Sequence, residues 1–105
     1  MAAYEIEQRD KQGSIKLMGD LTAVLVPDLQ TGLKEMLNSG TCEMVFDLAK
    51  TAMLDSSGIG LLIAAANTLG RSGGKVRVTN ASPDILRLMQ SMRLAGRLNV
   101  TGRTE

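Results

Sequence analysis

Residues 42–79, CEMVFDLAKTAMLDSSGIGLLIAAANTLGRSGGKVRVT, alternate between strand and helix patterns, and this alternation decides the fold. The nearly continuous apolar run at residues 42–48 favours a buried strand. Residues 58–69 have the length and apolar content of a helix. Residues 75–79 alternate apolar and polar side chains, as a strand does. Such a strand–helix–strand unit predicts two parallel strands joined by a right-handed crossover.

The segment before this unit predicts a hairpin followed by a helix. Residues 4–8 and 14–18 are predicted strands, with a turn at residues 11–13. A helix is expected from Pro27, which suits a first turn, and Asn38-Ser39-Gly40 ends it, with Gly40 placed for a left-handed cap.

The segment after residue 79 predicts one more helix. Ser82 is expected to cap it and Pro83 to occupy its first turn. The order is therefore β-β-α-β-α-β-α, an α/β domain with a mixed, mostly parallel four-stranded sheet, spanning residues 1–105. Residues 101–105 are expected to be a frayed tail.

Composition excludes several functions. The 105 residues include no His and no Trp, one Tyr and one Phe, and the net charge is +1. Without a basic surface or aromatic platforms, nucleic-acid binding is not expected. The absence of His removes the usual general base and zinc ligand, so no catalytic residue, metal or cofactor is predicted.

The sequence pattern does not indicate export. Cys42 is alone, so no internal disulfide can form. The N-terminal residues lack the apolar run of a signal peptide, and the longest apolar run is too short to span a bilayer. A cytoplasmic protein without membrane insertion is the expectation.

The stretch Asp55-Ser56-Ser57-Gly58 admits two interpretations. Asp and Ser are preferred helix caps, so the stretch can be a cap and nothing more. A hydroxyl at the mouth of a helix also lies beside unsatisfied N–H groups and the positive end of the helix dipole, where a phosphate would be tolerated. The residues alone leave both interpretations open.

The sequence resembles the STAS domain family, specifically the small bacterial anti-sigma factor antagonists, over nearly the whole chain. The most specific part is the motif Met53-Leu54-Asp55-Ser56-Ser57-Gly58-Ile59-Gly60. The supporting parts are Gly19-Asp20-Leu21, Pro27-Asp28-Leu29, Val45-Phe46-Asp47-Leu48, Gly74-Lys75-Val76 and Ser82-Pro83. The segment Thr22-Ala23-Val24 departs from the more usual polar stretch before the first helix.

The resemblance implies a partner-switching protein that is not itself an enzyme. The unphosphorylated form would bind an anti-sigma factor with serine kinase activity and so release the sigma factor. Phosphorylation of Ser56 by that kinase would break the complex, and a PP2C-type phosphatase would restore it.

The resemblance also assigns the site. Ser56 is the expected phosphate acceptor, and five residues are expected to serve partner binding: Asp20, Asp55, Ser57, Gly58 and Ile59. Asp55 would shape the loop, Ser57 would be a cap or second hydroxyl, and Gly58 would allow close backbone approach. Ile59 would be an apolar contact for the kinase.

A second class of function is compatible with the same residues. The chain would then be a STAS scaffold subunit of a lipid-transport complex or of another signalling complex. Oligomeric state is also open, because edge strands and the apolar face of the helix at residues 58–69 could form a homodimer.

Overall fold

Five strands and three helices follow one another along residues 3–103, the part of the chain that the computed structural model describes. The strands are β1 (Tyr4–Arg9), β2 (Gln12–Leu17), β3 (Glu43–Asp47), β4 (Lys75–Ala81) and β5 (Val100–Gly102). The helices are α1 (Val26–Asn38), α2 (Ser56–Gly70) and α3 (Pro83–Ser91). The predicted order β-β-α-β-α-β-α is confirmed, and β5 follows it.

The strands form one mixed sheet in the order β1-β2-β3-β4-β5. β1 and β2 are antiparallel, and each later pair of neighbours is parallel. The parallel pair predicted from residues 42–79 is therefore confirmed. The hairpin turn lies at Asp10 and Lys11, so Gln12 and Gly13, predicted as turn residues, belong to β2.

The predicted count of four strands is wrong, because β5 pairs with β4. The prediction of a frayed tail is also wrong for Thr101 and Gly102, which lie in β5, and for Arg103, whose N–H donates to the carbonyl of Ala81 at 3.1 Å. This strand has only three residues, so it is too short to show an alternating pattern. Asn99, directly before it, has a φ of +51°. Thr104 and Glu105, also predicted as tail, lie outside the described residues.

One face of the sheet is buried and the other is open. The buried side chains of the three central strands are Ile15, Leu17, Met44, Phe46, Val76, Val78 and Ala81. They form one core with apolar residues of all three helices, so the helices cover the same face. Residues 42–48 were predicted to be a buried strand, yet Val45 on the open face is only half-buried. The helices bury only one side of the sheet, so burial alternates along β3.

The helix ends follow local chemistry. α1 carries Pro27 and Asp28 in its first turn, and Gly40, just after it, has a φ of +94°, the left-handed conformation predicted for it. Ser82 caps α3 by accepting a hydrogen bond from the N–H of Ile85 at 3.2 Å. α2 begins at Ser56, two residues before the predicted start, which bears directly on the site.

Candidate functional site

Two loops meet at the end of the sheet where β2 and β3 terminate. Leu21 of the loop after β2 and Leu54 of the loop after β3 form a parallel bridge. The N–H of Leu21 donates to the carbonyl of Met53 at 3.2 Å, and the N–H of Asp55 donates to the carbonyl of Leu21 at 3.3 Å. The backbone thus joins the loop leading into α1 to the loop leading into α2.

Two aspartates reinforce this junction from opposite sides. Asp20 Oδ1 accepts hydrogen bonds from the N–H groups of Ala52 at 2.9 Å and Met53 at 3.0 Å. Asp55 Oδ2 accepts one from the N–H of Ala23 at 2.9 Å. We call Asp20 and Asp55 the crossed carboxylate pair, because each binds the backbone of the other's loop. The pair satisfies three backbone donors that would otherwise depend on water.

Asp55 also begins the helix. It is the N-cap of α2, and its Oδ1 accepts a hydrogen bond from the N–H of Gly58 at 2.9 Å. The N–H groups of Gly58 and then Ala23 hold the pKa of the Asp55 carboxyl below its ordinary value, because they stabilise the charged form. Since Asp55 is the cap, the predicted alternative of Ser57 as the cap is wrong.

Ser56 and Ser57 are the first two residues of α2, and both are exposed. The orphan N–H groups and the positive end of the dipole are concentrated in this first turn. A hydroxyl placed there can accept a phosphoryl group without disturbing the core. It also faces outward, so a second protein can reach it.

The next two residues face inward instead. A Cβ on Gly58 would lie 2.4 Å from the carbonyl oxygen of Leu21, so the close backbone approach predicted for Gly58 occurs, but with the chain itself. Ile59 is only 7% exposed and belongs to the core. The prediction that Ile59 offers an apolar contact to a partner is therefore wrong, because the helical turn directs it toward the sheet.

The structure also places apolar side chains at the site that the sequence did not indicate. Val24 is 90% exposed and Met53 is 53% exposed. An open cleft of about 650 Å³ lies beside Val24, and its lining includes Asp20, Asp28 and Lys50. The segment at residues 24–26 is short and apolar, and a pattern of that length carries no information on which side chain is buried.

Two kinds of feature are absent from residues 3–103. No group of three or more His, Cys, Asp or Glu side chains there could hold a metal ion. Over the same residues, no helix is long and apolar enough to cross a membrane.

The chain is similar to known proteins over most of its length. The family model described as "Mlab, STAS domain" matches residues 4–101. An anti-sigma-B factor antagonist of Staphylococcus aureus (strain NCTC 8325 / PS 47) is 28% identical over 101 residues, which cover 96% of this chain and 94% of that protein. The fold, the paired loops and the family match together define the class: the chain belongs to the STAS domain family.

Solved structures share this fold. The anti-sigma factor antagonist SpoIIAA in its unphosphorylated form has a TM-score of 0.74 and 21% identity, covering 84% of this chain and 82% of that chain. The Bacillus cell fate determinant SpoIIAA in the phosphorylated form has a TM-score of 0.79 and 21% identity, covering 98% of this chain and 93% of that chain. The predicted STAS fold is confirmed.

Proposed function

We propose that this chain is an anti-sigma factor antagonist whose binding to an anti-sigma factor is switched by phosphorylation of Ser56. The relative in Staphylococcus aureus is named as such an antagonist, and this chain covers 94% of it. SpoIIAA, which has the same fold, exists in unphosphorylated and phosphorylated forms. These likenesses support a regulatory protein that acts as ligand and substrate and not as an enzyme.

The observation that carries the proposal is the position of Ser56. Its hydroxyl is exposed at the first residue of α2, directly after the capping carboxylate of Asp55. In the proposed reaction, Ser56 Oγ attacks the γ-phosphorus of ATP bound to the anti-sigma factor. A bond forms between Oγ and phosphorus, the bond from the γ-phosphorus to the bridging oxygen breaks, and ADP leaves. The hydroxyl proton passes to a base supplied by the kinase. A PP2C-type phosphatase reverses the modification by transferring the phosphoryl group to water.

The charge at the site explains how the switch works. Phosphoserine carries a charge of about −1.5 to −2 at neutral pH, next to the negative charge of Asp55. The helix N-terminus stabilises this charge within the chain. A partner surface packed on Ser56 meets a concentrated anion in place of a neutral hydroxyl, so the complex dissociates while the fold persists.

The test begins with capture from a lysate of the native host. The parent chain, Ser56→Ala, Ser57→Ala and Ser56→Asp serve as baits in the presence of ADP, and bound proteins are identified by mass spectrometry. We expect an ATPase-type serine kinase on every bait except Ser56→Asp. Ser57→Ala is the matched control, because it removes the neighbouring exposed hydroxyl.

The second stage uses the captured kinase in purified form. With ATP, it should phosphorylate the parent and Ser57→Ala at Ser56 and leave Ser56→Ala unmodified, as mapped by phosphopeptide mass spectrometry. Phosphate on Ser57, or equal binding of Ser56→Asp and the parent, contradicts the proposal. A membrane transport complex captured equally by all baits would instead identify a scaffold subunit, in which Ser56 only begins the helix.

A further inference from the structure

Val24 and Met53 are exposed although both are apolar, and we call them the apolar pair. Val24 is 90% exposed and Met53 is 53% exposed. Each lies on one of the two loops that meet at the site. Both side chains leave apolar area in water that a partner could cover.

Hydrogen bonds fix the backbone on either side of the apolar pair. Val24 follows Ala23, whose N–H binds Asp55 at 2.9 Å, and it lies within the turn that the N–H of Leu25 closes on the carbonyl of Thr22 at 3.0 Å. Met53 donates its own N–H to Asp20 at 3.0 Å. Because the backbone of both loops is already ordered, binding a partner costs little backbone entropy there, so the pair is suited to anchor a partner.

The apolar pair lies on the same two joined loops as the proposed phosphate acceptor. Asp55 accepts the hydrogen bond from Ala23 and directly precedes Ser56, so one contact joins the neighbours of Val24 and Ser56. Met53 lies three residues before Ser56 on the same loop. A protein whose active site reaches the Ser56 hydroxyl therefore covers this surface as well.

The surrounding charges indicate which occupant fits. Asp20, Asp28 and Asp55 lie around the apolar pair and the adjoining cleft. The cations beside these three carboxylates are Lys50, which lines the cleft, and Arg103, which binds carbonyls of the loop after β3. An anionic bilayer would be repelled by this excess of carboxylates. In a twofold dimer through this surface, a second copy would bring the same carboxylates against their own counterparts. A different protein remains as the fitting partner.

We infer that Val24 and Met53 form the apolar anchor that docks the serine kinase over Ser56. The inference rests on the proposed function and adds the contact that determines affinity. The kinase presents an apolar pocket to the pair, and burial of the Val and Met side chains drives association. Recognition of the unphosphorylated chain is thus separate from the hydroxyl that is modified.

The test measures affinity with the purified kinase identified by the Ser56→Ala bait. Isothermal titration calorimetry in ADP compares the parent with Val24→Asn, Met53→Gln and the conservative variant Val24→Ile. We expect Val24→Asn to weaken the Kd by about tenfold or more and Met53→Gln by a smaller factor, with Val24→Ile near the parent. Circular dichroism melting curves should match, because both side chains are exposed.

Met92→Gln is the matched control. Met92 is 45% exposed, close to the value for Met53. It lies directly after α3, which packs on β4 and β5, the strands at the other edge of the sheet from β1 and β2. Its substitution should leave the Kd within about twofold of the parent, as expected for a residue outside the interface. An equal loss for Met92→Gln and Met53→Gln would overturn the inference.

The remaining outcomes separate this inference from the proposed function. Parent-like binding by Val24→Asn and Met53→Gln, with weak binding by Ser56→Asp, overturns the anchor and leaves the switch standing. Absence of a kinase acting on Ser56 overturns both. Light scattering and flotation with phosphatidylglycerol vesicles test the other occupants. A dimer or vesicle binding that Val24→Asn abolishes would assign the apolar pair to a second copy or a bilayer and overturn the inference.

Discussion

Single residues at the site combine a structural task with a recognisable motif. Asp55 caps α2 and binds the loop before α1. Gly58 lacks a Cβ, which leaves room for the carbonyl oxygen of Leu21. The motif that identifies the family is thus also the motif that holds two loops together. Ser56 and Ser57 within it are exposed, which leaves their hydroxyls free for modification.

A methyl group at position 58 should destabilise the fold. The Cβ of Gly58→Ala would lie 2.4 Å from the Leu21 carbonyl oxygen, so the junction between the loops must shift. We expect a loss of about 1–3 kcal/mol in the free energy of unfolding, measured by urea denaturation. Gly60→Ala is the matched control in the same helix. It meets no atom within 4 Å and should stabilise by about 0.5–1 kcal/mol through helix propensity. Equal effects of the two substitutions would contradict this account.

The Asp55 carboxyl should make stability depend on acid pH. Its pKa is lowered in the folded state, so its contribution is present above the unfolded value, about 4, and is lost as the pH falls through the lowered folded pKa. Urea midpoints measured from neutral to acid pH should therefore decline more for the parent than for Asp55→Asn. Parallel profiles would show that this carboxyl is not selectively stabilised in the folded chain.

At the scale of elements, each helix starts in one of two ways. Either a side chain accepts a hydrogen bond from an N–H group of the first turn, or a proline there removes one N–H donor. α1 has Pro27, α2 has the Asp55 cap, and α3 has the Ser82 cap followed by Pro83. Because the Asp55 cap places two hydroxyls in the first turn of α2, the start of this helix and the proposed acceptor are the same feature. A shift of the start by two residues would put Ser56 outside the helix.

Removal of the Ser82 hydroxyl should shorten or weaken α3. Ser82→Ala leaves the N–H of Ile85 without its partner and should cost about 1 kcal/mol in the free energy of unfolding. Ser91→Ala is the control at the other end of α3, where the hydroxyl donates to the carbonyl of Leu88. It should change stability by less than about 0.5 kcal/mol, measured by the same urea denaturation. If Ser82→Ala behaves like Ser91→Ala, the cap contributes nothing to stability.

At the scale of the molecule, the sheet is covered on one side, and Arg103 at the end of β5 connects it to the loop after β3. The guanidinium of Arg103 donates to the carbonyls of Ala49 at 2.8 Å and Asn80 at 3.2 Å, and its backbone N–H donates to Ala81 at 3.1 Å. These bonds connect the end of β5 to the loop that leads from β3 to Ser56. A residue far along the chain therefore supports the geometry of the site.

Loss of the Arg103 side chain should loosen this loop. Arg103→Ala removes charge-assisted hydrogen bonds to backbone carbonyls and should cost about 1–3 kcal/mol in the free energy of unfolding. Amide hydrogen exchange at residues 49–53 should accelerate more than exchange in β2. Arg9→Ala, in the exposed β1 strand, is the control and should change stability by less than about 0.5 kcal/mol. Unchanged exchange at residues 49–53 would contradict the role of Arg103.

Much of the fold could be predicted because its signals are local. A continuous apolar run located β3, helical length and apolar content located α2, and alternation located β4. Pro27 and Ser82 marked helix starts within one residue of the structure. The predicted four-stranded sheet did not count β5, because three residues cannot show a period and its partner β4 lies about twenty residues earlier in the chain. The number of strands thus depended on a pairing that no local pattern encodes.

The site was predictable in its motif and only partly in its geometry. The order of elements and the position of two hydroxyls directly after Asp55 follow from the sequence, because caps and periodicity depend on neighbouring residues. Three features depend on tertiary contacts: Asp20 and Asp55 cross between loops, Ile59 is buried, and Val24 and Met53 face solvent. Burial and long-range hydrogen bonds depend on which distant segments meet, and that is settled only when the sheet brings the ends of β2 and β3 side by side.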